Sequence, residues 1–210
     1  MLLTETRCEV EGRGLPKWRT RAGEWSSVTD VRAWVEDLAA TEAERRAAAW
    51  VQLYRTGCQM TEGVFAEWRQ DPEFAVLVCG EPVVGVAVSP DVFARVRQEM
   101  GMPPLAHVPD EQSTAEFEIH RGTVRLDILA PVDNEGAIQK FLDRFGPGIQ
   151  QVELPVKRVE EAVKILTERF GLTPVYAQPR AGADGTRVNF FLVEKPGGGK
   201  VLIELFEAKR

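Results

Sequence analysis

Two acids interrupt runs that are otherwise apolar. Asp127 stands inside VRLDILAP and Glu204 inside KVLIELFEA. In a strand, alternation puts Asp127 on the face of Arg125 and Leu129, and Glu204 on the face of Leu202 and Phe206, so each acid points into a partly apolar concavity. A carboxylate there needs a metal ion, a hydrogen-bond donor or a raised pKa, and each remedy is chemically useful. The alternative that requires no function is a sheet edge where both acids reach solvent. In IQQVELPV, either Gln150 or Gln151 must face the same way. An inward glutamine can ligate a hard cation through its amide oxygen or serve as a hydrogen-bonding core residue. The two histidines, His107 in PPLAHVPDEQ and His120 at HRG, lie outside strand interiors and read as surface residues rather than ligands.

The elements that must carry these residues begin after Pro72. Short β-branched runs follow one another: FAVLVCG, VVGVAVSP, STAEFEIHRG and TVRLDILAP, with Val92, Val96 and Met100 at helical spacing after the second run. From Gly148 the order returns. The strand IQQVELPV leads to a helix carrying Val159, Ala162, Val163, Leu166 and Phe170 and ending at Gly171, followed by TPVYAQP, TRVNFFLVEK, a GGG turn and KVLIELFEA. This is an internal repeat of about 60 residues, and Asp127 and Glu204 hold corresponding places in it.

The expected fold is therefore α+β, with two βαβββ modules at about 73–131 and 148–210 around one cleft. A connector at 132–147, helical over Gly136 to Phe145, joins them, and a mainly helical region at 1–72 precedes them. All five tryptophans (Trp18, Trp25, Trp34, Trp50 and Trp68) fall in that first region. The shift in composition places a boundary near Asp71-Pro72 and implies separate cores. One helix is expected after Thr29-Asp30, and a second from a Thr41/Glu44 capping box to Gly57. The tryptophans then serve packing or a dimer surface.

Composition narrows the partners. A formal charge of -6 without a basic run argues against a nucleic-acid partner held by counterion release. Neither a run of eighteen apolar residues nor an apolar signal core occurs, so the expected setting is the cytoplasm with no membrane partner. Cys8, Cys58 and Cys79 are odd in number and widely spaced, which fits reduced packing residues rather than disulfides or a thiolate zinc site.

The stretch from about Asp110 to Phe206 resembles methylmalonyl-CoA epimerases, within the vicinal oxygen chelate superfamily that includes glyoxalase I. The resemblance rests on DEQ near 110, LDILAP before the short helix AIQKFLDRFG, GIQQVELPV, the loop PRAGADGTRVNFF and the ending GGGKVLIELFE. It implies that each module supplies two ligands to one divalent metal, while carboxylates beside the substrate's acidic carbon exchange its proton. The metal positions correspond to Val83, Asp127, Gln151 and Glu204; the acid/base positions correspond to Glu111 and Glu204. Val83 and Gln151 stand where the family has histidines, and Leu192-Val193 where it has His-Pro. Oxygen donors remain only at Asp127, Gln151 and Glu204, which leaves a weak site for magnesium, calcium, cobalt or manganese, or a degenerate site with no metal.

Two functions follow as expectations. One is proton transfer alpha to the carbonyl of an acyl thioester or related small molecule, by a homodimer that binds an acyl-CoA. The other is a non-catalytic ligand-binding or partner-binding protein on the same fold. The basic residues Lys157, Arg158, Arg180, Arg187 and Lys200 could meet CoA phosphates or form a solvated face.

Overall fold

The computed structural model describes residues 17–19, 25–195 and 198–208. Cys8, Gly197 and the side chains of Trp18, Trp25 and Thr29 lie outside the described residues. A small antiparallel hairpin, β1 (Lys17–Arg19) with β2 (Trp25–Ser27), precedes helices α1 (Val28–Asp37), α2 (Ala43–Trp68) and α3 (Pro72–Ala75). The first half of the repeat is β3 (Val83–Ala87), α4 (Pro90–Glu99), β4 (Thr114–Arg121) and β5 (Val124–Pro131). After the connecting helix α5 (Ala137–Phe145) come β6 (Gly148–Pro155), α6 (Val159–Phe170), the short β7 (Arg180–Ala181), β8 (Arg187–Glu194) and β9 (Lys200–Glu207). None of the described helices is long and apolar enough to cross a membrane.

The fold is α+β, with one curled seven-stranded sheet in the order β4-β5-β3-β6-β9-β8-β7. The repeat is visible in the pairing. Each half sets its first strand parallel to its last, β3 beside β5 and β6 beside β9, and makes a closing antiparallel hairpin, β4–β5 and β8–β9. The halves join where β3 runs antiparallel to β6. Gly85 pairs with Asp127 and Glu153 with Glu204, so the two acids do hold corresponding places.

Local chemistry explains where the sheet departs from the strand runs. FAVLVCG is not a strand but a helical turn followed by one bridge, Val78 to Val156. Asp71 accepts from the amides of Glu73 and Phe74 (2.9 and 3.0 Å), and Pro72 occupies the first helical turn, both strong helix starts. Phe74 and Leu77, three apart, are then buried while Val76 is exposed. TPVYAQP is also not a strand: Pro174 and Pro179 lack ladder donors, and the chain pairs only at Pro174 with Phe191. The Asn189 amide supplies what the ladder would, accepting from Tyr176 N (3.2 Å) and donating to Tyr176 O (2.9 Å).

The N-terminal helices differ from expectation in two ways. No capping box forms at Thr41; Arg46 instead donates to the carbonyls of Ala40 (2.6 Å) and Thr41 (2.8 Å) and to Glu99 Oε2 (2.9 Å). Moreover, α2 runs past Gly57 to Trp68. A Cβ at Gly57 would sit 2.5 Å from Val84 Cγ2, so this glycine lets helix and sheet approach closely. The buried stripe Ala49, Leu53, Gly57, Thr61, Val64, Phe65 and Trp68 lies on the apolar face of the sheet, and one cluster joins Leu53 and Trp68 with Val84, Leu126, Val152 and Ile203. The separate cores expected from composition are one core.

Candidate functional site

With Val84, Val86, Leu126, Val152 and Ile203 turned into that core, strand alternation turns their neighbours to the other face. One row across the sheet pairs Glu118 on β4, Asp127 on β5, Gly85 on β3, Gln151 on β6 and Leu202 on β9. The next pairs Val83, Glu153, Glu204 and Phe190. The curl then brings the ends of the sheet together. Gln112, in the turn before β4, donates to Ala181 O on β7 (2.9 Å), and His107 N to Asp184 Oδ1 (2.8 Å). These rows line a cavity of about 850 Å³, with Ile138 of α5 in its wall.

Acids dominate this cavity. Asp127, Gln151 and Glu153 are buried, Glu116 and Glu204 half-buried, and Glu111, Glu118 and His120 exposed along its lining. Gln151 Nε2 donates to Glu153 Oε1 (2.9 Å) and to Glu204 Oε2 (2.6 Å), tying two carboxylates together. The Asp127 Oδ1 atom is buried without a hydrogen-bond partner among the described residues. Arg180 lies 4.0 Å above the Tyr176 ring with its Nε likewise unpartnered.

Burial and mutual repulsion hold these acids toward the neutral form. Burial, then Glu153, Glu118 and Asp184, pushes Glu116 up to about 8. Burial followed by Glu153, Glu116 and Glu118 raises Asp127 well above the ordinary aspartate value. Glu204 rises strongly for the same first reason, then through Glu153 and Glu116, against the Gln151 hydrogen bond and Arg180. Burial also raises Glu153, although the hydrogen bonds from Gln151 and Asp127 oppose it.

Every residue expected from the sequence to form the site lines the cavity: Val83, Glu111, Asp127, Gln151 and Glu204. Sequence reasoning missed Glu116, Glu118 and Glu153; it read His120 as a surface residue, and His120 is exposed, near the end of β4 and in the lining of the cavity. Gly85 makes the central pairing possible, because a Cβ there would meet Gln151 Cγ at 2.6 Å and Glu153 Oε1 at 3.3 Å. Gly85→Ala should therefore displace Gln151 and destabilise the protein by about 1–3 kcal/mol. Urea unfolding measures this; an unchanged midpoint would show slack that the packing denies.

The basic cluster is mostly engaged elsewhere. Arg158 pairs with Glu161, Arg187 with Glu160, and Lys157 donates to Val76 O (2.7 Å). Arg180 is the member of this cluster that lines the cavity. A metal at the positions implied by the resemblance fits poorly, since Val83 offers no donor and Gln151 turns its amide nitrogen, not its oxygen, toward Glu153 and Glu204.

No family model matches the chain. The methylmalonyl-CoA epimerase of Mycobacterium tuberculosis is 32% identical, with a TM-score of 0.54 over 64% of this chain and 91% of that one. A methylmalonyl-CoA epimerase solved with methylmalonyl-CoA and NH4+ shares the fold at 22% identity and a TM-score of 0.50, over 63% of this chain and 95% of that one. The uncharacterized protein YqjC of Bacillus subtilis (strain 168) is 25% identical over 100 residues, 48% of this chain and 69% of that protein. With an epimerase matched at that identity over nearly its whole length, and with the same curled sheet, this chain belongs to the methylmalonyl-CoA epimerase family of the vicinal oxygen chelate superfamily.

Proposed function

We propose that the cleft exchanges a proton alpha to the carbonyl of a small acyl compound, an acyl thioester such as an acyl-CoA being the preferred class. The carrying observation is the placement of Glu204, held in the cleft by the Gln151 amide at 2.6 Å, with burial raising its carboxyl well above the ordinary glutamate value. In this reading Glu111, exposed where the turn before β4 meets the cavity, takes the proton from the acidic carbon. Glu204 returns one from β9, which three strands separate from β4 in the sheet. The enolate oxygen formed between these steps needs a donor. Glu116, pushed up to about 8 by burial and the neighbouring acids, lines the same space and in its neutral form can donate an O–H there. Arg180, stacked on Tyr176 with an unspent donor, suits a carboxylate or phosphate of the ligand.

The step is not routed through a metal at Asp127, Gln151 and Glu204, because Gln151 would first have to turn its oxygen to the ion. The structural neighbour solved with methylmalonyl-CoA lends the ligand class, and a cytoplasmic homodimer belongs to the same reading. Incubating the protein with a 2-methyl acyl-CoA in deuterated water should exchange the hydrogen alpha to the carbonyl. Glu204→Gln should slow that exchange by about 100-fold or more, the range expected for a general acid. If the wild type exchanges nothing while acyl-CoA still raises the melting temperature, the alternative holds: a binding protein whose Gln151 is spent on carboxylates.

A further inference from the structure

We propose that Glu118, His120 and Asp127 form a binding site for a divalent first-row transition ion of the zinc or cobalt kind. The site lies on β4 and β5, at the end of the row that continues through Gly85 to Gln151; it shares Asp127 with the positions implied by the resemblance, but its other two ligands, Glu118 and His120, are on β4. Glu118 and Asp127 face each other in the antiparallel register, and His120 follows Glu118 by two residues on the same face. Each of the three offers one ligand atom, and those atoms all lie within 4.8 Å of one another. His120 Nε2 is 3.6 Å from Glu118 Oε2. Side chains at these separations close on an ion with short rotations, because ligand atoms about 2.0–2.2 Å from zinc lie roughly 3–4 Å apart.

A second observation points independently to a ligand. Asp127 is only 5% exposed, yet its Oδ1 has no hydrogen-bond partner among the described residues. A buried carboxylate oxygen without a donor is costly, and a cation beside it removes the cost. Glu118 and His120, both exposed, can move to share that ion, whereas Asp127 is fixed by its strand. One imidazole and two carboxylates are a donor set that suits zinc, cobalt or manganese. Three protein ligands would leave coordination open toward the cavity. Arg125, opposite His120 in register, is the nearby cation an ion must tolerate.

This proposal does not rest on proton exchange, so either can fail alone. The test uses the full chain stripped with a chelator and titrated with zinc by calorimetry and with cobalt by visible absorption. One saturable ion per chain is expected. His120→Ala and Glu118→Gln, both at exposed strand positions, should each weaken binding by about 100-fold, since even groups outside the ligand shell cost 10–100-fold. His120 and His107 are the only histidines, so paramagnetic cobalt should shift the ring signals of His120 and leave those of His107 in place. Three results each overturn the proposal: no saturable binding, affinity unchanged in His120→Ala, or bound cobalt with an unshifted His120.

Discussion

Trp68→Ala should cost about 3–5 kcal/mol, the range for removing a large buried aromatic, and is the largest single loss expected in the chain. Trp68 ends α2 and is 2% exposed. Its ring lies 5.7 Å from Phe65 on its own helix, 5.7 Å from Phe74 of α3 and 6.4 Å from Phe191 of β8. The indole therefore pins the helical region to the second half of the sheet. Urea unfolding of the variant measures the loss, and a value under about 1 kcal/mol would mean that the site collapses around the cavity. The same packing makes a stronger statement about the region as a whole. Removing residues 1–70 would expose Val84, which meets Gly57, and the core around it, so the shortened chain should aggregate or bind a hydrophobic dye. A soluble, cooperatively melting fragment would refute the single core. The Mycobacterium tuberculosis epimerase aligns with 64% of this chain, so a comparable sheet exists over that length alone. In this protein the helices have become part of what buries it.

Much of this architecture was legible because period-two alternation is a local signal. It drew Asp127 and Glu204 toward one cleft, and the repeat that aligned them is the one the strand pairing shows. The same rule, applied to IQQVELPV, picks out Glu153 two residues after Gln151. Applied to STAEFEIHRG it picks out Glu116, Glu118 and His120. Glu116, Glu118 and Glu153 were missed because a polar-rich strand reads as a solvated edge, and what gathers β4 into the cavity lining is the curl of the sheet. That curl depends on contacts such as Gln112 with Ala181, which no local pattern announces. Gly57 shows the same limit, since a glycine in a helical run signals an end unless a strand elsewhere needs its space. FAVLVCG failed for the opposite reason. Its β-branched composition outweighed the Asp71-Pro72 helix start, which was visible all along.

The acid-lined cleft also makes an unusual demand on pH. Asp127, Glu116, Glu153 and Glu204 are all raised by burial first, with Glu116 at about 8. An acid held above its unfolded value binds its proton more tightly in the native state. Its contribution to stability is therefore full below the unfolded value, near 4, and is lost as the pH climbs through the native one. Chelator-treated protein should accordingly melt higher at pH 5.5 than at pH 8. A tenfold difference in proton affinity is about 1.4 kcal/mol, or roughly 3–5 °C in a chain of this size. Asp71, Asp133 and Glu161 are held low by Arg169, Ser113 and Arg158 respectively, so their contribution falls away only in more acidic solution, outside this window. Glu116→Gln should flatten the slope, since the amide no longer loses a proton, and Glu153→Gln should flatten it further by removing the charge that repels Asp127 and Glu204. A melting temperature that is level or falls between pH 8 and pH 5.5 would mean that the cleft ionises freely, with water or counter-ions reaching its acids. A bound cation should act in the same direction as the variants. Zinc or cobalt added at pH 8 would stabilise the ionised carboxylates, and the difference between the two pH values should shrink as the ion saturates.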